Sequence, residues 1–320
     1  MRFAEYLRPG QVTERRLFVQ AGVTDAVYRL PEADTNAAVL DLAGLERARA
    51  ELAADGLTLS VVEPVPPMEA VKQGLPGRDR ELARLTALIE AMGRLGIPVL
   101  CYNFMAVFGW TRSHVDLPGR GGATVSGFNL DAFERAAPAA HHISDDDMWA
   151  HYRYFLDAVL PAAERAGVTL ALHPDDPPVP SLRGVARIMR SPDNIARALA
   201  MSDSPAHQLT FCQGTFATMG ADIPATIRRF ADRIAFVHFR DIRGEAADFV
   251  ETFHDEGKTD MYAAMRAYVE IGFSGPVRTD HAPTMYGESN DHPGYATLGR
   301  LFAIGYLKGL YEAARAGAAS

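Results

Sequence analysis

Short apolar runs alternate with longer segments of helical period along almost the whole of this 320-residue chain. Eight runs read as strands, at residues 2–7, 24–29, 57–63, 97–102, 168–173, 208–213, 234–239 and 276–280. Several of them (TLALH, LTFCQ, AFVHF, VLCYN) are apolar nearly throughout, as parallel strands covered on both faces should be. Amphipathic helices are expected between them at 42–55, 79–95, 145–166, 192–201, 223–233, 260–271 and 295–316. Gly56, Gly96 and Gly167 stand where left-handed caps would end the first three. Ser144 followed by Asp145, Asp146 and Asp147 supplies an N-cap and an acidic first turn.

Eight such units, without an internal repeat or a low-complexity linker, predict an α/β protein of the (β/α)8 TIM-barrel type. Residues 1–320 then form a single barrel domain, with 103–144 inserted as an extended βα loop or lid after the fourth strand. A doubly wound sheet is the alternative, but the glycine-rich phosphate turn GxGxxG is absent.

Charge and cysteine usage exclude whole classes of function. Lys plus Arg number 32 against 40 Asp plus Glu, a net charge of −8, which argues against binding nucleic acid or an anionic membrane. Cys101 and Cys212 are the only cysteines, too few for a disulfide scaffold, and they fit a reducing compartment. The first residues carry charges throughout, and no window approaches 18 uncharged apolar residues, so a cytoplasmic protein is expected.

Four potential metal ligands fall at the C-terminal ends of four successive strands: His173, Cys212, His238 and Asp280. In a barrel those ends converge on the mouth, where active sites are built. Taken singly, each has a plain structural role: a buried hydrogen-bonded His, a small apolar Cys, an Asp capping a loop. Their equivalent placement points to a shared site for a divalent transition metal, with positions open to substrate. More polar groups crowd the same rim. HPDDPP (173–178) brings Asp175 and Asp176, and HFRDIRG (238–244) brings Arg240, Asp241 and Arg243. FHDEGKTDM (253–261) adds His254, Lys258 and Asp260; RTDHAPTMYGE (278–288) adds His281 and Tyr286; HPGY adds Tyr295. Such a collection suits a polyhydroxylated anion, with Arg and Lys for its carboxylate or phosphate. Asn103, Trp110 and Arg112, in CYNFMAVFGWTR (101–112), add an aromatic face with polar edges of the kind a sugar uses. Cys101 reads as core.

These residues resemble a known family, the mannonate dehydratases, metal-dependent enzymes on a xylose-isomerase-like barrel. The resemblance spans nearly the whole chain. It rests on GLPGRD (74–79), CYNFM (101–105), WTR (110–112), HPDDPP, CQGTF (212–216), FVHFRD (236–241), FH-x-x-GKTDM and PGY (293–295). It implies a hydro-lyase of hexuronate degradation that converts D-mannonate to 2-keto-3-deoxygluconate and water, by loss of the C2 proton and the 3-hydroxyl. It also implies Mn²⁺, or else Fe²⁺ or Co²⁺, held by His173, Cys212, His238 and Asp280. His281 and Tyr295 become the acid–base pair, in either order, and Arg240, Lys258 and Asn103 become substrate contacts. The architecture further implies a homo-oligomer, dimeric or higher.

Three positions depart from the family pattern: Gly109 replaces an Asp, Pro283 an Arg and Tyr286 a Trp. The expected metal ligands are retained, so the departures bear on which acid is recognised. Two other readings compete: a metal-dependent sugar isomerase or epimerase, which expels no water, and a non-catalytic sugar-acid binding protein.

Overall fold

The computed structural model describes residues 1–31, 41–139 and 142–318. Its centre is a closed barrel of eight parallel strands. In chain order these are β1 (Arg2–Leu7), β2 (Asp25–Tyr28), β3 (Thr58–Val62) and β4 (Val99–Asn103), then β7 (Thr169–His173), β10 (His207–Cys212), β11 (Ile234–His238) and β14 (Pro276–Arg278). Outside the barrel, β8 (Ser181–Leu182) and β9 (Val185–Ala186) pair as a small hairpin after β7. All eight expected strands are present, with ends shifted by at most two residues. The expected helices are present as well, and the caps show why they stop where they do. The helix Asp145–Ala166 opens on a capping box between Ser144 and Asp147 and closes on left-handed Gly167. A short helix at Val12–Gln20, without a side-chain cap, was not signalled by the sequence.

The period of two along each strand separates two cores. Ala4, Tyr6, Val27, Val61, Val99, Cys101, Ala171 and Phe236 fill the barrel's interior. Neighbours such as Leu100, Leu170, Leu172, Phe211 and Val237 face outward into the helical layer. Continuing the inward set to the strand ends brings Asn103 beside His173, Cys212 beside His238 and His238 beside Arg278, as the parallel registers require.

The connection after β4, expected as an extended loop, has secondary structure of its own. It holds β5 (His114–Pro118), β6 (Thr124–Asn129) and a helix at Leu130–Ala136; its residues 140–141 lie outside the described residues. The glycine-rich turn of residues 119–122 closes the β5–β6 hairpin. This hairpin pairs with a second one, β12 (Ile242–Glu245) and β13 (Asp248–Glu251), in an antiparallel sheet ordered β12-β13-β6-β5. Gly127 permits the close approach, because a Cβ there would lie 2.9 Å from the Phe249 carbonyl oxygen. Two connections more than 100 residues apart are thereby joined at the mouth of the barrel. Among the described residues, no helix is long and apolar enough to cross a membrane.

Candidate metal centre and active site

Ligand atoms of His173, Cys212 and His238 lie within 4.8 Å of one another at the ends of three adjacent strands. His173 Nδ1 is 2.6 Å from the Pro174 carbonyl oxygen, which can only accept, so Nδ1 carries the proton and Nε2 keeps its lone pair. The Cys212 Sγ accepts a hydrogen bond from Thr215 Oγ1 at 3.0 Å. His238 is 1% exposed; its Nε2 lies 3.3 Å from Glu63 Oε2, yet neither ring nitrogen has a well-aligned hydrogen-bond partner among the described residues. A buried imidazole left unsatisfied beside a thiol and a second imidazole is the donor chemistry of a divalent-cation site.

Asp280 adjoins this trio. Its Oδ2 lies 3.7 Å from Cys212 Sγ and 3.6 Å from His238 Nδ1. The carboxylate is also gripped by Arg240 Nε at 2.7 Å and Arg278 at 2.9 Å, on a backbone held at φ 61°. Burial raises its pKa, but the charges of His281, Arg278, His238 and Arg240 outweigh burial and hold it well below the usual range.

Glu63, Cys101 and His238 form a second cluster of possible ligands sharing the same imidazole. Burial, then the nearby Glu63 charge, pushes the Cys101 thiol well up, which disfavours the thiolate a metal needs. Glu63 is engaged by Arg278 at 3.1 Å. Burial raises its carboxyl, yet Arg278 and His238 bring it down to about 2. The cluster around Cys212 is therefore the better cation site.

A cavity of about 340 Å³ opens over these groups, lined by Asn103, Trp110, His173, Asp280, His281 and Tyr295 among others. His281 is held between two rings, Trp110 at 5.0 Å and Tyr295 at 5.3 Å. Its Nδ1 is 3.2 Å from Glu251 Oε1 and its Nε2 is 3.6 Å from Asp280 Oδ1. Burial raises the Tyr295 phenol, with Arg278 pulling the other way. Asn103 Oδ1 accepts from Lys72 Nζ at 3.4 Å and from the Met105 amide at 3.2 Å, which leaves its side-chain NH2 for a ligand.

Arg112 and Arg240, expected as substrate contacts, are spent on the protein. Arg112 makes a two-pronged bond to Asp176, at 2.7 and 3.0 Å, and also reaches Glu251. Arg240 reaches Asp176 at 2.6 Å and Glu251 at 3.0 Å in addition to Asp280. Both guanidiniums are buried, and neither lines the cavity. Three further expected contacts also lie elsewhere. His254 is buried, bonded through Nε2 to the Thr279 carbonyl at 2.7 Å, and supports the strand end from behind. Lys258 is exposed and bonds to the Gly244 carbonyl at 2.7 Å. Tyr286 is 94% exposed. Gly109 and Pro283 do not line the cavity either.

The cavity instead presents Arg8, Arg29, Glu63 and Arg278, which were not singled out from the sequence. The strand-end rule that located His173 and Cys212 would have found them. Arg8 and Arg29 follow β1 and β2, Glu63 follows β3, and Arg278 closes β14.

The D-mannonate dehydratase (UxuA) family matches residues 1–140 and 127–320. Mannonate dehydratase 2 of Halalkalibacterium halodurans is 37% identical over 81% of this chain and 83% of its own length. The mannonate dehydratase of Streptococcus equi subsp. zooepidemicus is 34% identical over 91% and 87%. The crystal structure of mannonate dehydratase from Streptococcus suis serotype2 superposes with a TM-score of 0.93 at 31% identity, covering 99% of this chain and 96% of that one. An L-ribulose 3-epimerase structure, at 16% identity and a TM-score of 0.65 over 99% and 96% of the two chains, shares the xylose-isomerase-like fold. With family and relatives matched over most of its length, the chain belongs to the D-mannonate dehydratase (UxuA) family.

Proposed function

We propose that this chain is a hydro-lyase that dehydrates D-mannonate to 2-keto-3-deoxygluconate. The observation that carries the reading is the shared cavity of His173, Asp280, His281 and Tyr295, in a chain whose relatives are mannonate dehydratases. His173, Cys212 and His238 would hold a divalent cation, with Asp280 adjoining. We assign Mn²⁺, with Fe²⁺ and Co²⁺ as the alternatives that a mixed nitrogen, sulfur and oxygen set also accepts. Bound there, such a cation would stabilise the negative charge that grows on the substrate carboxylate as C2 loses its proton.

The chain's own side chains divide the proton transfers. The Glu251 carboxylate can only accept from His281 Nδ1, so in the neutral imidazole Nε2 holds the lone pair and serves as the base at C2. Tyr295, its phenol pushed up by burial, stays protonated near neutrality and gives its proton to the departing 3-hydroxyl, which leaves as water. The enol that remains shifts its hydroxyl proton to C3 and becomes the 2-ketone. Arg8 and Arg278 add positive charge to the wall an anionic acid would face. A cytoplasmic setting is in keeping with two buried thiols that form no disulfide.

Mass spectrometry of D-mannonate incubated with the Mn²⁺-loaded protein tests the reading. The expected result is loss of one water, abolished by chelator. An unchanged mass with a new isomer would replace the dehydratase by an isomerase or epimerase.

A further inference from the structure

Glu251 ends β13, outside the barrel strands, and is 4% exposed. It stands where three side chains converge. Arg112 Nε reaches its Oε1 at 3.2 Å, Arg240 Nη1 reaches its Oε2 at 3.0 Å, and His281 Nδ1 lies 3.2 Å from Oε1. The two arginines are in turn tied to one another through Asp176, at 2.7 and 2.6 Å. The carboxylate is thus fixed in position and rotation before it meets the imidazole. No other carboxylate approaches Nδ1 among the described residues; Asp280 faces Nε2 at 3.6 Å.

The origin of these parts is informative. Arg112 comes from the connection after β4, and Glu251 from the hairpin after β11. The pairing of β6 with β13, Phe128 opposite Phe249 and Gly127 opposite Val250, brings the two connections together. Arg112 also lies over the Phe249 ring at 4.7 Å. From this convergence we infer that Glu251 is a positioning residue for the dehydration: held by Arg112 and Arg240, it fixes the tautomer and orientation of His281. A carboxylate that only accepts makes Nδ1 the donor and aims the Nε2 lone pair at the cavity, the arrangement a base needs. The inference rests on His281 acting as the base at C2, and it gives the accessory sheet a task beyond covering the mouth.

Two measurements decide it. Nitrogen-15 imidazole spectra of the wild-type holoenzyme, with the His281 signals assigned by their loss in His281→Ala, should show the proton on Nδ1. A proton on Nε2 alone would overturn the proposal, whatever acid the enzyme turns over. In kinetics, Glu251→Gln should lower kcat roughly 10- to 100-fold, with KM and bound Mn²⁺ unchanged. Glu251→Asp should recover part of the loss. In the His281→Ala background, Glu251→Gln should cost nothing further, because its effect runs through the imidazole. Additive losses, or a loss explained by Mn²⁺ release or a raised KM, would overturn it. If the wild type removes no water from D-mannonate, the dehydratase reading fails, and the spectra still settle the tautomer.

Discussion

The mouth of this barrel is built in two ways. On one side, the adjacent strands β7, β10 and β11 deliver His173, Cys212 and His238 at their C-terminal ends, with Cys212 opposite His238, so their placement follows from strand-end position and a period of two. On the other side, Arg112 and Glu251 arrive on an antiparallel sheet assembled from separate connections, and their placement depends on a network of buried charges. The first side places its groups by backbone geometry and leaves His238 unsatisfied. The second satisfies its charges internally and presents to the cavity Asp176 together with the residues it supports, His281 and Trp110. Candidate metal donors and scaffold are thereby divided between the two sides.

The division predicts separable failures. The largest is expected from Cys212→Ser, which removes the thiolate donor and should weaken Mn²⁺ binding by at least about 100-fold, with little change in apo-protein Tm. Metal titration alongside thermal melting checks this, and a large fall in apo Tm would mean that the donor side is also scaffold. Arg112→Met should behave in the opposite way. It leaves Asp176 and Glu251 to share Arg240 in the interior and should cost about 3–5 kcal/mol in denaturant unfolding, by the usual penalty for breaking a buried ion pair. Mn²⁺ affinity should change far less. A smaller effect is expected from Trp110→Ala, which removes a ring from the cavity and from beside His281; KM should rise several-fold, since stacking contacts are worth about 1 kcal/mol. Lys258→Ala and Tyr286→Ala should leave kcat/KM within about twofold, because neither side chain reaches the cavity and exposed sites rarely matter. A tenfold loss from either would show that substrate or another copy of the chain engages a face outside this cavity.

The same contrast governs how much of the molecule was legible in the sequence. The eight strands and the convergence of His173, Cys212 and His238 could be read because local hydrophobic pattern and strand-end position carry the information. Arg8, Arg29 and Glu63 obey the same rule on β1, β2 and β3, but no motif drew attention to them. The accessory sheet was read as a loop because its strands are short and pair with a hairpin more than 100 residues away, a contact no local pattern encodes. The burial of Arg112 and Arg240 is a property of that contact as well. As isolated residues in polar motifs both resemble anion-binding groups; once the sheet closes, carboxylates of the protein occupy them.

The central claim is that His173, Cys212 and His238 form the cation site over which the accessory sheet holds His281. Anomalous diffraction from crystals of the Mn²⁺-loaded protein tests it most directly. The account predicts one strong peak within coordination distance of His173, Cys212 and His238, with His281 bonded to Glu251. A peak between Glu63, Cys101 and His238, or none near His238 at full Mn²⁺ loading, would contradict it.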